Sequence, residues 1–442
     1  MINDQTVTEE QQEGEQLPPC LTRRTALKRF GGGMAGLGGA WLLAACGGSS
    51  SSSSASSSAA SSASSASGSV SSSSSASAAD EPVASKGNPI TLPMFSDNKP
   101  IASGMKPEKG PLVIYDWAYY LSPAVVKSFE QKYGVQAQVT NFSSIDEALN
   151  KIHSGAVQAD VWVPDANHIV EFVQSKIIQP INHSYIPNLN NVIPAAGDPW
   201  YDKGARYSTP NFINLFGVQW RNDLIKIDPG ALSNPWDVFW KAPKSTTIGM
   251  VNAAADDAIS MAMLRNGATS LDTISTSQVA DAVTALKELK LKWQYTAFQP
   301  LASGVESLSF GFNGDMEVMP HYLPKNVPLS ATSFYFPANG YGLILNDLWV
   351  IPKSAKNPVL AHLWMNHFLE EQSAIDNFRD EGYQTMLQGL TIEKLKAAKV
   401  APDHAIEMAF ATAEQQTNGL PSPIYKPQQL IMLEQAFAQL TA

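Results

Sequence analysis

The stretch LVIYDWAYYLSP, residues 112–123, sets the fold class of this chain because a strand pattern and a helix start follow each other directly. Its first four residues are apolar and two are β-branched, which predicts a buried strand that ends at Asp116-Trp117. Ser122-Pro123 then suits the beginning of a helix, since proline is tolerated at the first helical position. A buried strand followed at once by a helix is the repeating unit of α/β folds.

The same alternation continues down the chain. Residues 135–139 suggest a second strand, and apolar residues recur at helical spacing over 145–152. Residues 161–163 make a third strand, which Pro164 stops. Alternation at this pace predicts a doubly wound parallel sheet.

A second α/β series follows. Residues 216–220 and 247–251 predict strands, Asn252 suits the cap of a helix that runs through Asp257 to Leu264, and Ser275 opens a capping box. The later elements predicted from the pattern are a turn at Asn313-Gly314 before a strand over 316–319, a strand over 341–351, and helices around 362–378 and 428–440. Two series without an internal repeat predict two lobes with a cleft between them.

The N-terminus has the parts of an export signal. Paired arginines, Arg23 and Arg24, precede an apolar, glycine-rich run over 31–45, which is typical of the twin-arginine type. The run is too short and too rich in glycine for a permanent membrane helix. Leu43-Ala44-Ala45-Cys46 resembles a bacterial lipobox, which predicts that residues 1–45 are removed and that Cys46 is lipidated. We therefore expect an exported protein, lipid-anchored to the outer face of the cytoplasmic membrane or to the periplasmic side of the envelope.

Residues 46–110 read as a lipidated cysteine, a tether and an arm. Serine and alanine make up almost all of 47–79, so this segment lacks side chains that could build a core and is predicted to be a flexible tether. Residues 80–110 are rich in Pro, Lys and Asn and have no periodicity, which predicts an extended arm leading into the fold.

Composition limits the partners. Lys and Arg number 30 against 40 Asp and Glu, a net charge of −10 that disfavours nucleic acid and is compatible with a cationic partner.

Cys20 and Cys46 are the two cysteines, and Cys20 lies in the leader. The folded part therefore has no disulfide, and packing must hold it together.

Four segments resemble a known family in order along the chain. Residues 113–123 resemble the opening strand of spermidine/putrescine-binding proteins, the substrate-binding components of polyamine ABC transporters. The other matches are ADVWVP at 159–164, YSTP at 207–210 leading into FGV at 216–218, and NDLWVIPK at 346–353. The resemblance covers roughly residues 112–440 and implies a type II periplasmic-binding-protein fold, two α/β lobes with a ligand cleft between them.

The lobes of such a fold are discontinuous in sequence. The resemblance implies one lobe from 111–213 with about 323–371 and another from 214–322 with about 372–442. The chain would cross between them near 211–216, near 322–324 and at the end of the helix around His362. It further implies a monomer that captures a polyamine cation and delivers it to an ABC transporter permease. A binding protein for another small solute or organic cation, or a solute-sensing surface lipoprotein without a transport role, stays open.

A polyamine site needs carboxylates for the ammonium groups and aromatic faces for the methylene stem. In open α/β sheets ligands bind beyond the carboxyl ends of the strands, so residues that follow a strand are the candidates. The resemblance places Trp117 and Tyr120 at aromatic ligand positions, with Asp116 and Tyr119 beside them.

The acidic candidates are spread along the chain. Asp165 follows the third strand, where it could meet an ammonium group or cap the next helix. The resemblance places an acidic ligand position on Asp257 and another on Asp347, and Asp256 adjoins the first of these. Acidic residues early in a helix also follow from the macrodipole alone, and a solvent-facing strand residue is the alternative for Asp347.

Tyr322 falls where the family has an aromatic residue at the cleft, and His321 beside it is the weaker candidate.

Two departures from the family pattern leave the identity of the ligand open. The family carries aromatic residues where this chain has Ala166-Asn167-His168, and often tryptophan where it has Leu345. A shorter diamine, a different organic cation or another solute would fit these changes.

Motifs for catalysis are missing from the sequence. It has no Gly-x-Ser-x-Gly elbow, no His-Glu-x-x-His zinc pair and no Walker-type phosphate loop. His362 and His367 are five residues apart, which does not place them on one helical face. The sequence therefore predicts a binding protein without a cofactor or metal rather than an enzyme.

Overall fold

The computed structural model describes residues 84–252, 255–272, 274–296, 298–337 and 340–441. The predicted export signal, Cys46 and the Ser/Ala tether lie outside these ranges. Within them, no helix combines the length and the apolar character needed to cross a membrane.

Eleven strands of the described residues form one sheet. They are β1 Leu112–Trp117, β2 Ala137–Phe142, β3 Val161–Trp162, β4 Ile178–Gln179, β5 Ser208–Arg221, β6 Thr247–Val251, β7 Lys290–Gln294, β8 Leu308–Phe312, β9 Thr332–Tyr335, β10 Leu343–Pro352 and β11 Leu420–Pro421.

Helices pack on both sides of this sheet in the described ranges. They are α1 Pro123–Tyr133, α2 Ile145–His153, α3 Ile169–Gln174, α4 Pro194–Gly197, α5 Val238–Lys241, α6 Ala255–Arg265, α7 Thr276–Leu286, α8 Phe298–Ser303, α9 Asp315–Val318, α10 Pro358–Phe368, α11 Glu371–Glu381, α12 Ile392–Ala397, α13 Asp403–Ala409, α14 Ala413–Asn418 and α15 Pro427–Thr441.

The sheet consists of two parallel sections joined by two long strands. Its order is β2-β1-β3-β10-β5-β8-β6-β7, with β2, β1 and β3 parallel at one end and β8, β6 and β7 parallel at the other. β5 and β10 pair antiparallel between these sections and contribute to both. We call the sections with their helices the β1 half and the β6 half. The lobe bounds given above remain a prediction.

The opening stretch folds as its pattern predicts. β1 is flanked by β2 and β3 in parallel, and Pro164 follows the end of β3. Ser122 caps α1 because its hydroxyl accepts a hydrogen bond from the Ala124 N–H at 3.1 Å, and proline occupies the first turn. The capping box at Ser275 is also confirmed, since its side chain and that of Gln278 exchange hydrogen bonds with each other's backbone.

The predicted strand over 316–319 is wrong. These residues form α9 and the start of a 3-10 turn, Met319–Tyr322, and the strand β8 precedes the Asn313-Gly314 turn. All four residues of α9 are buried, and a short run that is buried on every side carries no periodicity to separate helix from strand. The helical region predicted around 362–378 consists of α10 and α11. The cap predicted at Asn252 adjoins residues outside the described ranges.

Three hydrophobic clusters hold the described part together. One lies behind β1 and includes α10, α11 and buried residues of α8 and α9, such as Leu301 and Met316. A second forms the core of the β6 half around Phe310, and a third packs on the other face of β1 around Trp162. Burial of such apolar surface is the main stabilising contribution that offsets chain entropy in a fold without disulfides.

The arm before β1 is fastened to the β1 half. Leu92 is buried in the cluster around Trp162, its carbonyl oxygen accepts from Arg206 Nη1 at 2.9 Å, and the Pro93 carbonyl accepts from the Tyr207 hydroxyl at 2.6 Å. The sequence predicts an extended arm but not these contacts, which depend on residues far along the chain.

Candidate functional site

A cavity of about 330 Å³ lies between the β1 half and the β6 half. Its walls follow the carboxyl ends of five strands: Trp117 ends β1, Asp165 follows β3, Val251 ends β6, Thr296 follows β7 and Phe312 ends β8. This is the edge where open α/β sheets bind ligands. Leu345 and Asp347 of β10, together with α15, complete the wall.

The charge of the lining is one-sided. Among the described residues that border the cavity, one is histidine, His168, and none is lysine or arginine. The acidic ones are Asp146, Asp165, Asp256, Asp315, Asp347 and Glu434. Asp146 and Glu434 are exposed at the rim, whereas Asp165, Asp315 and Asp347 are buried deeper. Such a lining attracts cations and repels anions.

Aromatic rings cover much of the remaining wall. They belong to Trp117, Tyr119, Tyr120, Tyr295, Phe312, Tyr383 and Phe437. The rings of Trp117 and Tyr120 lie 6.4 Å apart, and Tyr120 also packs on Tyr383 at 4.6 Å. Between them Tyr119 has a φ of 65°, a left-handed conformation that is costly for a tyrosine and that turns the loop around the cavity. Ring faces attract both methylenes and cations.

Asp347 is held at the centre of the wall. It lies where the pairing of β10 with β5 shifts register, between Asn346 and Leu348. Its Oδ2 accepts hydrogen bonds from Asn214 Nδ2 at 2.6 Å and from the Tyr120 hydroxyl at 3.1 Å. Burial, followed by the charge of Asp165, raises the pKa of Asp347 to about 7. The group is therefore poised to lose its proton when a cation arrives.

Asp165 both caps a turn and borders the cavity. Its Oδ1 accepts from the Asn167 N–H at 3.1 Å and lies 2.6 Å from Nδ1 of His168. Burial alone lowers the pKa of His168, but the charge and hydrogen bond of Asp165 outweigh it and raise that pKa to about 9. At neutral pH the two side chains form an ion pair.

Asp256 and Asp257 are adjacent on α6, but only Asp256 borders the cavity, and Asp257 lies beneath it. Burial and then Asp165 raise the pKa of Asp256 to about 6. Asp257 is buried outside the lining and accepts from the Ser422 hydroxyl at 2.8 Å, and burial raises its pKa well above the usual range. Asp257 thus joins α6 to the segment before α15.

Asp116 and Tyr322 also lie outside the cavity lining. Asp116 is a fully buried residue of β1 whose Oδ1 accepts a hydrogen bond from the Trp117 N–H at 2.7 Å, and burial raises its pKa well above the usual range. Tyr322 packs against the cluster behind β1, with its ring 5.6 Å from that of Phe298. Of the eight predicted ligand residues, the structure brings together Trp117, Tyr120, Asp165, Asp256 and Asp347.

Several lining residues were missed at the sequence level. Asp315 follows β8, so the strand-end rule would have found it if β8 had been recognised. Glu434 and Phe437 come from α15, whose docking on the cleft depends on tertiary contacts that no local pattern reveals. The Tyr295 hydroxyl lies 3.5 Å from the Ala118 carbonyl oxygen and so bridges the two halves.

In the described ranges, no three or more His, Cys, Asp or Glu side chains are grouped so that they could hold a metal ion.

Two α/β halves with a cleft at the strand ends are the arrangement of solute-binding proteins that close on their ligand. Residues 124–407 match the model of the bacterial extracellular solute-binding protein family, and the chain belongs to that family. The predicted fold class is thereby confirmed, as is the prediction that the chain is not an enzyme, because the family consists of binding proteins.

Named relatives match this chain at low sequence identity. A putrescine/cadaverine-binding protein of Pseudomonas aeruginosa is 24% identical over 272 residues, which cover 60% of this chain and 75% of that protein. The spermidine/putrescine-binding periplasmic protein 1 of Haemophilus influenzae is 23% identical over 302 residues, or 66% of this chain and 79% of that protein. A crystal structure of a spermidine/putrescine ABC transporter substrate-binding protein from Streptococcus pneumoniae matches with a TM-score of 0.61 and 21% identity, covering 75% of this chain and 98% of that one.

Proposed function

We propose that this protein captures a linear diamine or polyamine cation outside the cytoplasm and delivers it to an ABC transporter permease. The observation that carries the proposal is the cavity lining, which combines acidic side chains with aromatic rings. Among the described residues that border the cavity, none is lysine or arginine. A polyamine has the complementary pattern, with ammonium groups separated by methylenes. The relatives that bind putrescine, cadaverine or spermidine by name support the same ligand class.

The methylene stem is proposed to lie along Trp117 and Tyr120. One ammonium group would bind between Asp256 and Asp347, which are both close enough to Asp165 for its charge to raise the pKa of their carboxyl groups. Another would bind on the Asp315 side of the cavity. A hydrogen bond to a charged group contributes about 1.5–3 kcal/mol net, so the two ends would together contribute about 3–6 kcal/mol. Micromolar binding requires about 8 kcal/mol, and contact of the methylene stem with the aromatic rings would supply the rest.

The predicted ligand residues outside the lining have supporting roles in this proposal. Asp257 would keep α6 against the segment at Ser422, so that Asp256 stays in place. Asp116 would fix the backbone that presents Trp117. Tyr322 would stabilise the hydrophobic cluster behind the cleft and would not contact the ligand.

The N-terminal segment is proposed to anchor the folded part to the membrane. The support is Leu43-Ala44-Ala45-Cys46 behind a paired-arginine leader, followed by the Ser/Ala tether. The protein would act as a monomer whose two halves close on the ligand about the long strands β5 and β10.

Isothermal titration calorimetry of the full-length protein tests the ligand class. Putrescine and spermidine are expected to bind, while 1,4-butanediol, which has a similar stem without charge, is expected not to bind. Asp256→Asn should weaken amine binding by about tenfold or more. Asp281→Asn, a matched change on the exposed face of α7, should leave it unchanged. Butanediol binding as tightly as putrescine, or no amine binding below millimolar concentration, would refute the proposal.

A further inference from the structure

One carboxylate of the cleft already has a cationic partner within the protein. Nδ1 of His168 lies 2.6 Å from Oδ1 of Asp165, with side-chain exposures of 19% and 12%. The same oxygen accepts the Asn167 N–H, so the acidic group is engaged from two directions. Both side chains border the cavity.

The histidine is fixed in this position. Its ring stacks on the fully buried ring of Phe172, with centroids 5.8 Å apart and an interplanar angle of 13°. The charged groups that act on it are Asp165 before it, Asp256 from α6 and Glu171 on α3, and together they outweigh the effect of burial and keep it protonated at neutral pH. A fixed imidazolium is thus part of the cavity wall.

This arrangement changes how many ligand charges the cleft accommodates. The charge of Asp165 raises the pKa of both Asp256 and Asp347, so Asp165 acts on each of the other two carboxyls. His168 neutralises one of them. A further ammonium group beside Asp165 would meet the imidazolium of His168 instead of a free carboxylate. Two positive charges close together in a partly dry site repel each other.

We infer that His168 is a specificity-determining residue that replaces one ammonium group of the ligand, so that the cleft prefers dications to trications. The inference rests on the proposed function, because it concerns the same cleft and ligand class. Asp165 then serves as the partner of His168, and Asp256 with Asp347 receive the ligand.

Two substitutions of His168 separate its charge from its shape. His168→Asn keeps a donor near the position of Nδ1 without the charge, and His168→Lys keeps a charge with a different shape. Titration of the full-length protein at pH 7.5 measures the dissociation constants for putrescine, a dication, and spermidine, a trication. Wild type should prefer putrescine, and His168→Asn should shift the ratio toward spermidine by about ten- to thirtyfold. His168→Lys should stay within about threefold of wild type.

A double substitution tests the role of Asp165. Asp165→Asn alone leaves the imidazolium without its partner and should weaken putrescine binding by about tenfold or more. Asp165→Asn combined with His168→Asn restores the net charge of the cavity and should recover wild-type affinity within about threefold. Continued weak binding in the double variant would mean that Asp165 is itself a ligand contact and would overturn the inference.

The outcomes distinguish the two proposals. If wild type binds the amines but the ratio does not move in His168→Asn, or moves equally in His168→Lys, only the role of His168 is overturned. If wild type binds neither amine, the proposed function fails and the inference fails with it. Circular dichroism of each variant checks that the fold is retained.

Discussion

Acidification from pH 7.5 to 5.5 is expected to weaken putrescine binding, because the ligand must displace a proton from Asp347. The pKa of this buried carboxyl is about 7 in the ligand-free protein, so at pH 5.5 it is almost fully protonated. Deprotonating it there costs about 2 kcal/mol, since one pKa unit corresponds to about 1.4 kcal/mol. Between the two pH values this amounts to about 25-fold in affinity.

Asp256 adds a smaller effect in the same direction. Its pKa of about 6 makes it largely ionised at pH 7.5 and mostly protonated at pH 5.5. The second group therefore contributes about fourfold more, so the affinity should fall by about a hundredfold in total.

Calorimetry in two buffers with different protonation enthalpies measures the protons released. At pH 6.5 Asp347 and Asp256 together should release about one proton for each putrescine bound. Asp347→Asn should remove most of this release, and the exposed control Asp281→Asn should not change it. An affinity that stays constant between pH 5.5 and 7.5, with no proton released, would refute the assignment of these carboxylates to the ligand.

The other predictions concern stability and anchoring. Asp347→Asn should raise the free energy of unfolding of the ligand-free protein at pH 8 by up to about 4 kcal/mol, as measured with urea. A folded pKa of about 7 against 3.8 in the unfolded chain means that Asp347 increasingly destabilises the fold between pH 3.8 and 7, and the full effect is present above pH 7. Unchanged or lower stability would contradict this. His362 is neutral in the core, since Nε2 accepts the Asn182 N–H at 2.9 Å and burial lowers its pKa from 6.5. Neutral His362 should stabilise the fold above pH 6.5, and this stabilisation should decline below pH 6.5. His362→Gln should therefore reduce the change of the melting temperature between pH 5 and 7. A melting temperature that falls equally steeply in the variant would argue against this role. Cys46→Ala should move the protein from the membrane fraction to the soluble fraction, and mass spectrometry of the wild type should find an acylated Cys46; an intact N-terminus would exclude the lipid anchor.

Strand ends were the part of the site that sequence could predict. The resemblance identified Trp117 and Tyr120, and their place at the end of a short apolar run supports them, because such runs predict buried strands whose carboxyl ends meet at one edge. Asp165 was found by the same rule, and Asp347 by the resemblance. These positions follow from the local sequence pattern and from the sheet topology, and the rules for strand connections allow few alternative topologies.

Contacts between distant segments could not be predicted. Asp256 and Asp257 are adjacent on α6, and only the rotation of that helix decides that Asp256 faces the cavity while Asp257 faces Ser422. Phe437 reaches the cleft because α15 docks there, and α9 was misread because its residues are buried all round. Tertiary packing determines each of these outcomes.

A crystal structure of the protein with putrescine tests the central claim most directly. We predict a four-carbon chain in the cavity between the two halves, in contact with the rings of Trp117 and Tyr120. One ammonium group should lie within hydrogen-bond distance of Asp256 or Asp347, and the ion pair of His168 with Asp165 should remain intact. Putrescine bound elsewhere, or a cavity that stays without the amine at saturating concentration, would contradict this claim.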